Sequence, residues 1–252
     1  MNRFFVSPAQ IENTLITITG SDVNHISRVL RLKPGDQMMV ADGTGREYLV
    51  ELISATPEKV ETVIKESFPA GNEPPLDVYL LQGLPKGEKM ELIIQKCTEI
   101  GIKKIIPVQM ERTIIKLTPD KAEKRRERWQ RISFEAAKQC QRSMVPEVLS
   151  VCELPQAINQ LPKDTLIIMP WEEEKGLGLK ELLRNNGSLT GSVALIIGPE
   201  GGISPQEAAW AVEQGVKIVS LGPRILRTET AGLVTISIVL YELGDLGGKI
   251  VG

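Results

Sequence analysis

Between Val193 and Ala231 two apolar runs each empty into a loop of glycine and proline. Val193–Ile197 is followed by Gly198-Pro199-Glu200-Gly201-Gly202, and Lys217–Leu221 by Gly222-Pro223-Arg224-Ile225-Leu226-Arg227. Short apolar runs bounded by such punctuation read as buried strands. Between them lies a helix with both ends marked. Ser204-Pro205-Gln206-Glu207 is a capping box with proline at the first helical position, and Gly215 stands where a C-terminal glycine belongs. This order constrains the region to an α/β fold, in which ligands bind outside the carboxyl ends of the strands, where loops converge. Thr228 is the expected N-cap of the next helix, with Glu229 in a first turn where negative charge suits the dipole. Ala231–Leu243 is apolar on nearly every face, as in a helix buried in its own domain or covered by a partner subunit.

Gly201 and Gly202 allow the backbone to come close to a ligand. Neither G-x-G-x-x-G nor G-x-x-x-x-G-K-S/T is present, so the two commonest phosphate-cradling motifs are not what these loops are. From the residues alone, plain connection and ligand site both stay open.

The 252-residue chain changes character near Ser67–Pro75, where SFPAGNEPP has no periodicity and reads as a linker. We expect two domains, 1–70 and 71–252. In the first, Leu15–Thr19, Gln37–Ala41, Glu47–Ile53 and Lys59–Glu66 are strand-like, with turns at Pro34-Gly35 and Asp42-Gly43 and a helix near Val23–Leu30. That predicts a small β-barrel. In the second, Leu76–Gln82, Ile105–Val108 and Leu166–Met169 read as strands. Lys86–Ile100 reads as a helix with Leu92, Ile93, Lys96 and Ile100 near one face, and a long helix runs from Thr118-Pro119 to about Gln141. Alternating strands and helices predict a parallel sheet covered on both sides.

Three scattered cysteines (Cys97, Cys140, Cys152) and one histidine (His25) make neither a disulfide framework nor a metal cluster, so no metal is expected. The start MNRFFVSPAQ lacks an apolar core and cleavage site, and no run of about 20 apolar residues is present, so the expectation is a cytoplasmic protein without membrane association. Net charge is −2, yet Glu111 to Arg142 holds ten Lys/Arg against five Asp/Glu, a local excess of five. Such a stripe fits either a phosphate-backbone partner or a solvated helix face with internal salt bridges.

GPEGG followed by LGPRILRTETA resembles the SPOUT superfamily of RNA methyltransferases. More closely, it resembles the bacterial family that methylates N3 of a uridine in 16S ribosomal RNA. Arg3-Phe4-Phe5, His25–Arg31, Leu32–Asp36, Leu84–Glu91, Gln95–Gly101 and Arg128–Ala137 agree with it, so the resemblance covers both halves of the chain. It implies an N-terminal PUA-like RNA-binding β-barrel and a C-terminal α/β SPOUT domain with a deep trefoil knot. It also implies a homodimer acting on the small ribosomal subunit, with S-adenosyl-L-methionine held in the knotted loops. By motif, the cofactor residues would be Met169, Pro170, Gly198, Glu200, Gly202, Leu221, Gly222, Ile225, Leu226, Arg227, Thr230 and Ala231. RNA contacts would come from Arg3, His25, Arg28, Arg31, Lys33, Lys86, Arg112, Arg125 and Arg128.

Uracil N3 carries a proton at neutral pH, and its anion spreads charge onto both carbonyl oxygens. A site for this reaction therefore needs cationic donors and positioning, for which paired arginine donors are suited. Arg142 and Arg227 are the candidate cations, and Glu229 is either a base or a helix-start carboxylate. Relatives carry Ala-Ala-Glu-Gln-Ser before the first of these arginines; Lys138 and Cys140 depart from that pattern. A SPOUT enzyme acting at another RNA position, and an RNA-binding assembly factor without catalysis, are the alternative readings.

Overall fold

The computed structural model describes residues 2–186 and 191–248 and divides into two compact units. The first comprises the chain up to Glu73 together with Ala137–Val145. Its strands are β1 (Arg3–Phe5), β2 (Ile11–Glu12), β3 (Leu15–Thr19), β4 (Gln37–Ala41), β5 (Arg46–Ala55) and β6 (Lys59–Pro69). They form one barrel-like sheet in the order β1-β4-β5-β6-β3-β2, antiparallel except for the β1–β4 pair. Period-two alternation turns Met38 and Val40 of β4 and Tyr48, Val50 and Leu52 of β5 into a core with Phe4, Ile16 and Ile18. The predicted helix near Val23–Leu30 is a short α1 (Ser21–Asn24) continuing into a π-helical turn, His25–Val29. Val23 and Ile26 are its only buried residues, too few to sustain a longer amphipathic helix.

The second unit comprises Pro74–Ala136 and the chain from Pro146 onward. Its elements are β7 (Asp77–Gly83), α2 (Lys89–Ile100), β8 (Lys104–Gln109), α3 (Pro119–Gln139), β9 (Glu147–Val148), β10 (Cys152–Glu153) and α4 (Leu154–Asn159). Then come β11 (Thr165–Pro170), α5 (Leu179–Asn185), β12 (Ser192–Ile197), α6 (Pro205–Glu213), β13 (Lys217–Val219) and α7 (Thr228–Leu243). The strands make a wholly parallel sheet, β10-β8-β7-β12-β11-β13, with β9 beside β8. Every residue of β12 is buried, as expected of a strand covered on both faces. Val78, Leu80, Val193 and Leu195 pack on one side with α2, α5 and α7. Tyr79, Leu81, Ala194 and Ile196 pack on the other with α4 and α6.

The ends of α6 are as the residues require. Ser204 Oγ accepts from the Glu207 amide at 3.1 Å, the Glu207 carboxylate reaches back to the Ser204 amide, and Gly215 follows its last turn. Three local expectations change. The buried face of α2 is Met90, Ile93, Ile94 and Cys97, while Leu92 is 44% exposed, because packing against β7 and α7 selects the row one position over. The last strand ends at Val219 rather than Leu221, since Ser220 pairs instead with Leu177 and Leu179. The N-cap of α7 is Arg227, not Thr228; the Thr228 hydroxyl donates to the Gly198 carbonyl instead.

Candidate active site

Strands β11, β12 and β13 lie side by side and parallel, so the segments that follow them emerge at one edge of the sheet. They enclose a cleft of about 850 Å³. That is within the range of pockets that bury a drug-sized ligand. One wall is the glycine loop after β12, Gly198–Ile203. A second is Ser220–Arg227 with the start of α7, and a third is the segment after β11, from Pro170 to Lys175.

Among the residues expected to hold the cofactor, the structure brings Pro170, Gly198, Glu200, Gly202, Leu221, Gly222, Ile225, Leu226, Arg227 and Ala231 to this cleft. Met169 and Thr230 do not line it. Met169 is fully buried in the core behind Pro170, because alternation along β11 points it at the sheet interior. Thr230 is exposed on the first turn of α7. Five further lining residues, Lys89, Trp171, Glu172, Glu174 and Lys175, were not among the expected site residues, although Lys89 lies in the matching segment Leu84–Glu91. Four of them belong to the wall after β11, which only the position of that strand's carboxyl end could have signalled.

Two glycines are required, the first by its backbone conformation and the second by close approach. Gly202 has φ +74°, and a Cβ there would come within 2.7 Å of Glu172 Oε1. At Gly83, the last residue of β7, a Cβ would meet the Pro199 ring and amide nitrogen at 2.7 Å, so the glycine loop rests directly on the strand end. A buried hydrogen-bond chain fixes the same corner. Gln82 Nε2 donates to Thr228 Oγ1 at 2.9 Å, and Thr228 Oγ1 donates to the Gly198 carbonyl at 2.6 Å. Across the cleft, Trp171 Nε1 donates to the Ile203 carbonyl.

The charges at the mouth are organised by Lys89. Its Nζ lies 3.1 Å from Glu200 Oε1 and 3.2 Å from Glu229 Oε2. The Lys86 amide also donates to Glu200, at 3.0 Å. Partial burial alone would raise the Glu200 carboxyl, but amide donors and the Lys89 ammonium outweigh it and hold it below its usual value. Hydrogen bonds to Glu200 and then Glu229 raise the Lys89 ammonium above its own. The pair therefore persists on the alkaline side until pH climbs through the raised lysine value. On the acid side it is lost only as pH falls through the lowered carboxylate value. Arg227 differs: its guanidinium makes no hydrogen bond or ion pair with the described residues and is presented at the cleft.

Arg142 lies in the first unit, 5% exposed. Its Nε and Nη2 donate to Glu73 Oε2 at 3.0 and 2.7 Å, while Glu73 Oε1 accepts from the amides of Ser143 and Met144. Lys138 donates to Asp22 in the same unit. Of the residues expected to touch RNA, Arg3 is 19% exposed and paired with Glu47. His25 stacks edge-on against Phe4 with ring centroids 6.0 Å apart. Arg28, Arg31 and Lys33 are exposed around the π-helical turn. In the second unit Lys86 and Arg112 are exposed beside the glycine loop, with Arg112 Nη1 donating to the Gly201 carbonyl. On α3, Arg125 is half-buried and Arg128 is exposed and paired with Glu91. Among the described residues no cluster of metal-ligating side chains occurs and no helix is long and apolar enough to cross a membrane.

Residues 72–240 match the RNA methyltransferase domain family, and residues 18–65 match the RNA methyltransferase PUA domain. A Bacillus subtilis protein named ribosomal RNA small subunit methyltransferase E is 38% identical over 98% of this chain and 99% of its own. The chain belongs to the ribosomal RNA small subunit methyltransferase E family. The crystal structure of the Neisseria gonorrhoeae member, bound to S-adenosyl methionine, is 31% identical. It superposes with a TM-score of 0.82 over 97% of this chain and 99% of that one. A Legionella pneumophila methyltransferase in complex with the same cofactor is 29% identical, with a TM-score of 0.74 over 97% of this chain and 98% of that one. The PUA match falls on the barrel-like sheet, and the methyltransferase match contains all three walls of the cleft.

Proposed function

We propose that this protein methylates N3 of a uridine in 16S ribosomal RNA of the small subunit, with S-adenosyl-L-methionine as donor. The single observation that carries the reading is the cleft. Its walls include the GPEGG and LGPRILR loops, and it presents an unengaged arginine two residues before the mostly buried, Lys89-paired Glu229.

The residues fit the cofactor. Gly202 holds φ +74°, a left-handed backbone that keeps the loop close to the cleft. Leu221, Leu226 and Ala231 offer apolar surface for an adenine, and Ile225 stands 85% exposed at the cleft. Backbone groups of the glycine loops supply the polar partners. When bound, the cofactor supplies an electrophilic methyl group on a sulfonium. The chain's own contribution is positioning and charge. Arg227 directs paired N–H donors at the uracil carbonyl oxygens, where the N3 anion places its charge. Glu229, two residues on in the first turn of α7, either accepts the N3 proton or serves as a helix-start carboxylate. Arg142, the other candidate cation, is committed to Glu73 in the first unit.

The trefoil knot and the homodimer belong to the same proposal. Supporting the knot, the segment after β11 is fastened at both ends to one short stretch. The Trp171 amide donates to Val219, Ser220 to Leu177, and Leu179 to Ser220. Supporting a partner subunit, Tyr241 on α7 is 66% exposed and Leu92 on the adjoining α2 is 44% exposed.

The test is methyl-labelled cofactor with small subunits from a strain lacking this protein, followed by mass spectrometry of nucleosides. One labelled N3-methyluridine is the expected product. Label on another nucleoside moves the chain elsewhere in the superfamily, and absence of cofactor binding favours the assembly-factor reading. Arg227→Lys should lower kcat about tenfold while leaving cofactor affinity nearly unchanged, since a point charge replaces a planar fork; equal kcat in steady-state assays refutes the arginine's role.

A further inference from the structure

Lys89 is the first residue of α2, where a cation opposes the helix dipole. It is held there by two carboxylates from different walls of the cleft: Glu200 on the glycine loop and Glu229 on α7. We propose that Lys89 is a positioning residue that fastens the glycine loop to the start of α7 and so sets the width of the cofactor cleft. The inference takes its ligand from the reading above.

Beneath this ionic fastening runs a second, uncharged one. Gln82 of β7, Thr228 and the Gly198 carbonyl join the glycine loop to α7 a second time, and all are buried or nearly so. The inner chain holds the fold and the outer one holds the lips. Lys89 itself is 32% exposed and lines the cleft, so cutting it opens the site without removing core. The Lys86 amide reports directly on the state of Glu200, because that carboxylate is its hydrogen-bond acceptor.

Two readouts separate this from the choice of ligand. Amide hydrogen exchange on the ligand-free protein reads the fastening without any cofactor. In Lys89→Met the Lys86 amide should exchange about fivefold to tenfold faster, and in Lys89→Arg within about twofold of the parent, as expected for a partly exposed ion pair. Calorimetry then reads the consequence: S-adenosyl-L-methionine affinity should fall about fivefold to tenfold in Lys89→Met and Glu200→Gln. The double variant should be little worse than Lys89→Met, since Glu200→Gln cuts one of the two links that Lys89 makes. Thermal midpoints should stay within about 2 °C of the parent, because the inner chain is intact. Unchanged exchange in Lys89→Met, no rescue by arginine, or additive losses in the double variant each overturn the proposal. Failure of the parent protein to bind the cofactor, with exchange still responding, overturns the cofactor reading and leaves the fastening standing.

Discussion

Gly202→Val should leave no measurable binding of S-adenosyl-L-methionine, a loss of at least about a hundredfold in affinity. Two costs add. The backbone at φ +74° lies in the left-handed region, which a β-branched residue enters only under strain of about 1–3 kcal/mol. The new Cβ would also sit 2.7 Å from Glu172 Oε1, so that carboxylate must swing aside. The loop has little freedom to adjust, because Trp171 holds Ile203, Glu200 is engaged by the Lys86 amide and Lys89, and Pro199 rests on Gly83. Calorimetry on the purified variant checks this; parental affinity would show that the ligand does not approach the Gly198–Ile203 loop.

Glu73→Ala should destabilise the first unit by about 3–5 kcal/mol, the range for breaking a buried ion pair from one side. Both oxygens of this carboxylate are committed. One takes two donors from the Arg142 guanidinium, and the other takes the amides of Ser143 and Met144. Removing them withdraws the carboxylate from a side chain only 6% exposed and leaves two backbone donors without that acceptor. Glu73→Gln, which keeps acceptor capacity on one oxygen, should recover part of the loss. Urea unfolding followed by a probe in the first unit gives the magnitude, and a midpoint equal to the parent would refute the anchoring role. The pairing also explains why a motif-based reading places Arg142 at the chemistry while the folded chain shows it engaged with Glu73. The carboxylate lies 69 residues earlier in sequence, inside the segment read as a linker.

What was legible follows from the range of the forces involved. The α6 capping box, the glycine loops and the apolar β12 depend on neighbours a few positions away, and each stands where the residues predict. Short β9 and β10 and the helices α4 and α5 left no clear period, since two to seven residues cannot establish one. Leu92 and Ile93 are equally apolar and both read as facing the core; packing against β7 and α7 keeps Ile93 buried and leaves Leu92 exposed. Thr228 has the chemistry of an N-cap, yet a carbonyl 30 residues away claims its hydroxyl. Lys89 joins two carboxylates more than a hundred residues further on, and no spacing rule could have grouped them.

The cleft has a consequence for how the protein comes into being. Its last wall is the start of α7, the final helix described, whereas the strand on which the glycine loop rests is β7, the first of its sheet. A growing chain that has made both glycine loops still lacks Thr228 and Glu229, and with them both fastenings of the Gly198–Ile203 loop to α7. Ligand competence therefore waits on α7. A chain stopped before Thr228 would lack the wall and the fastenings that α7 contributes.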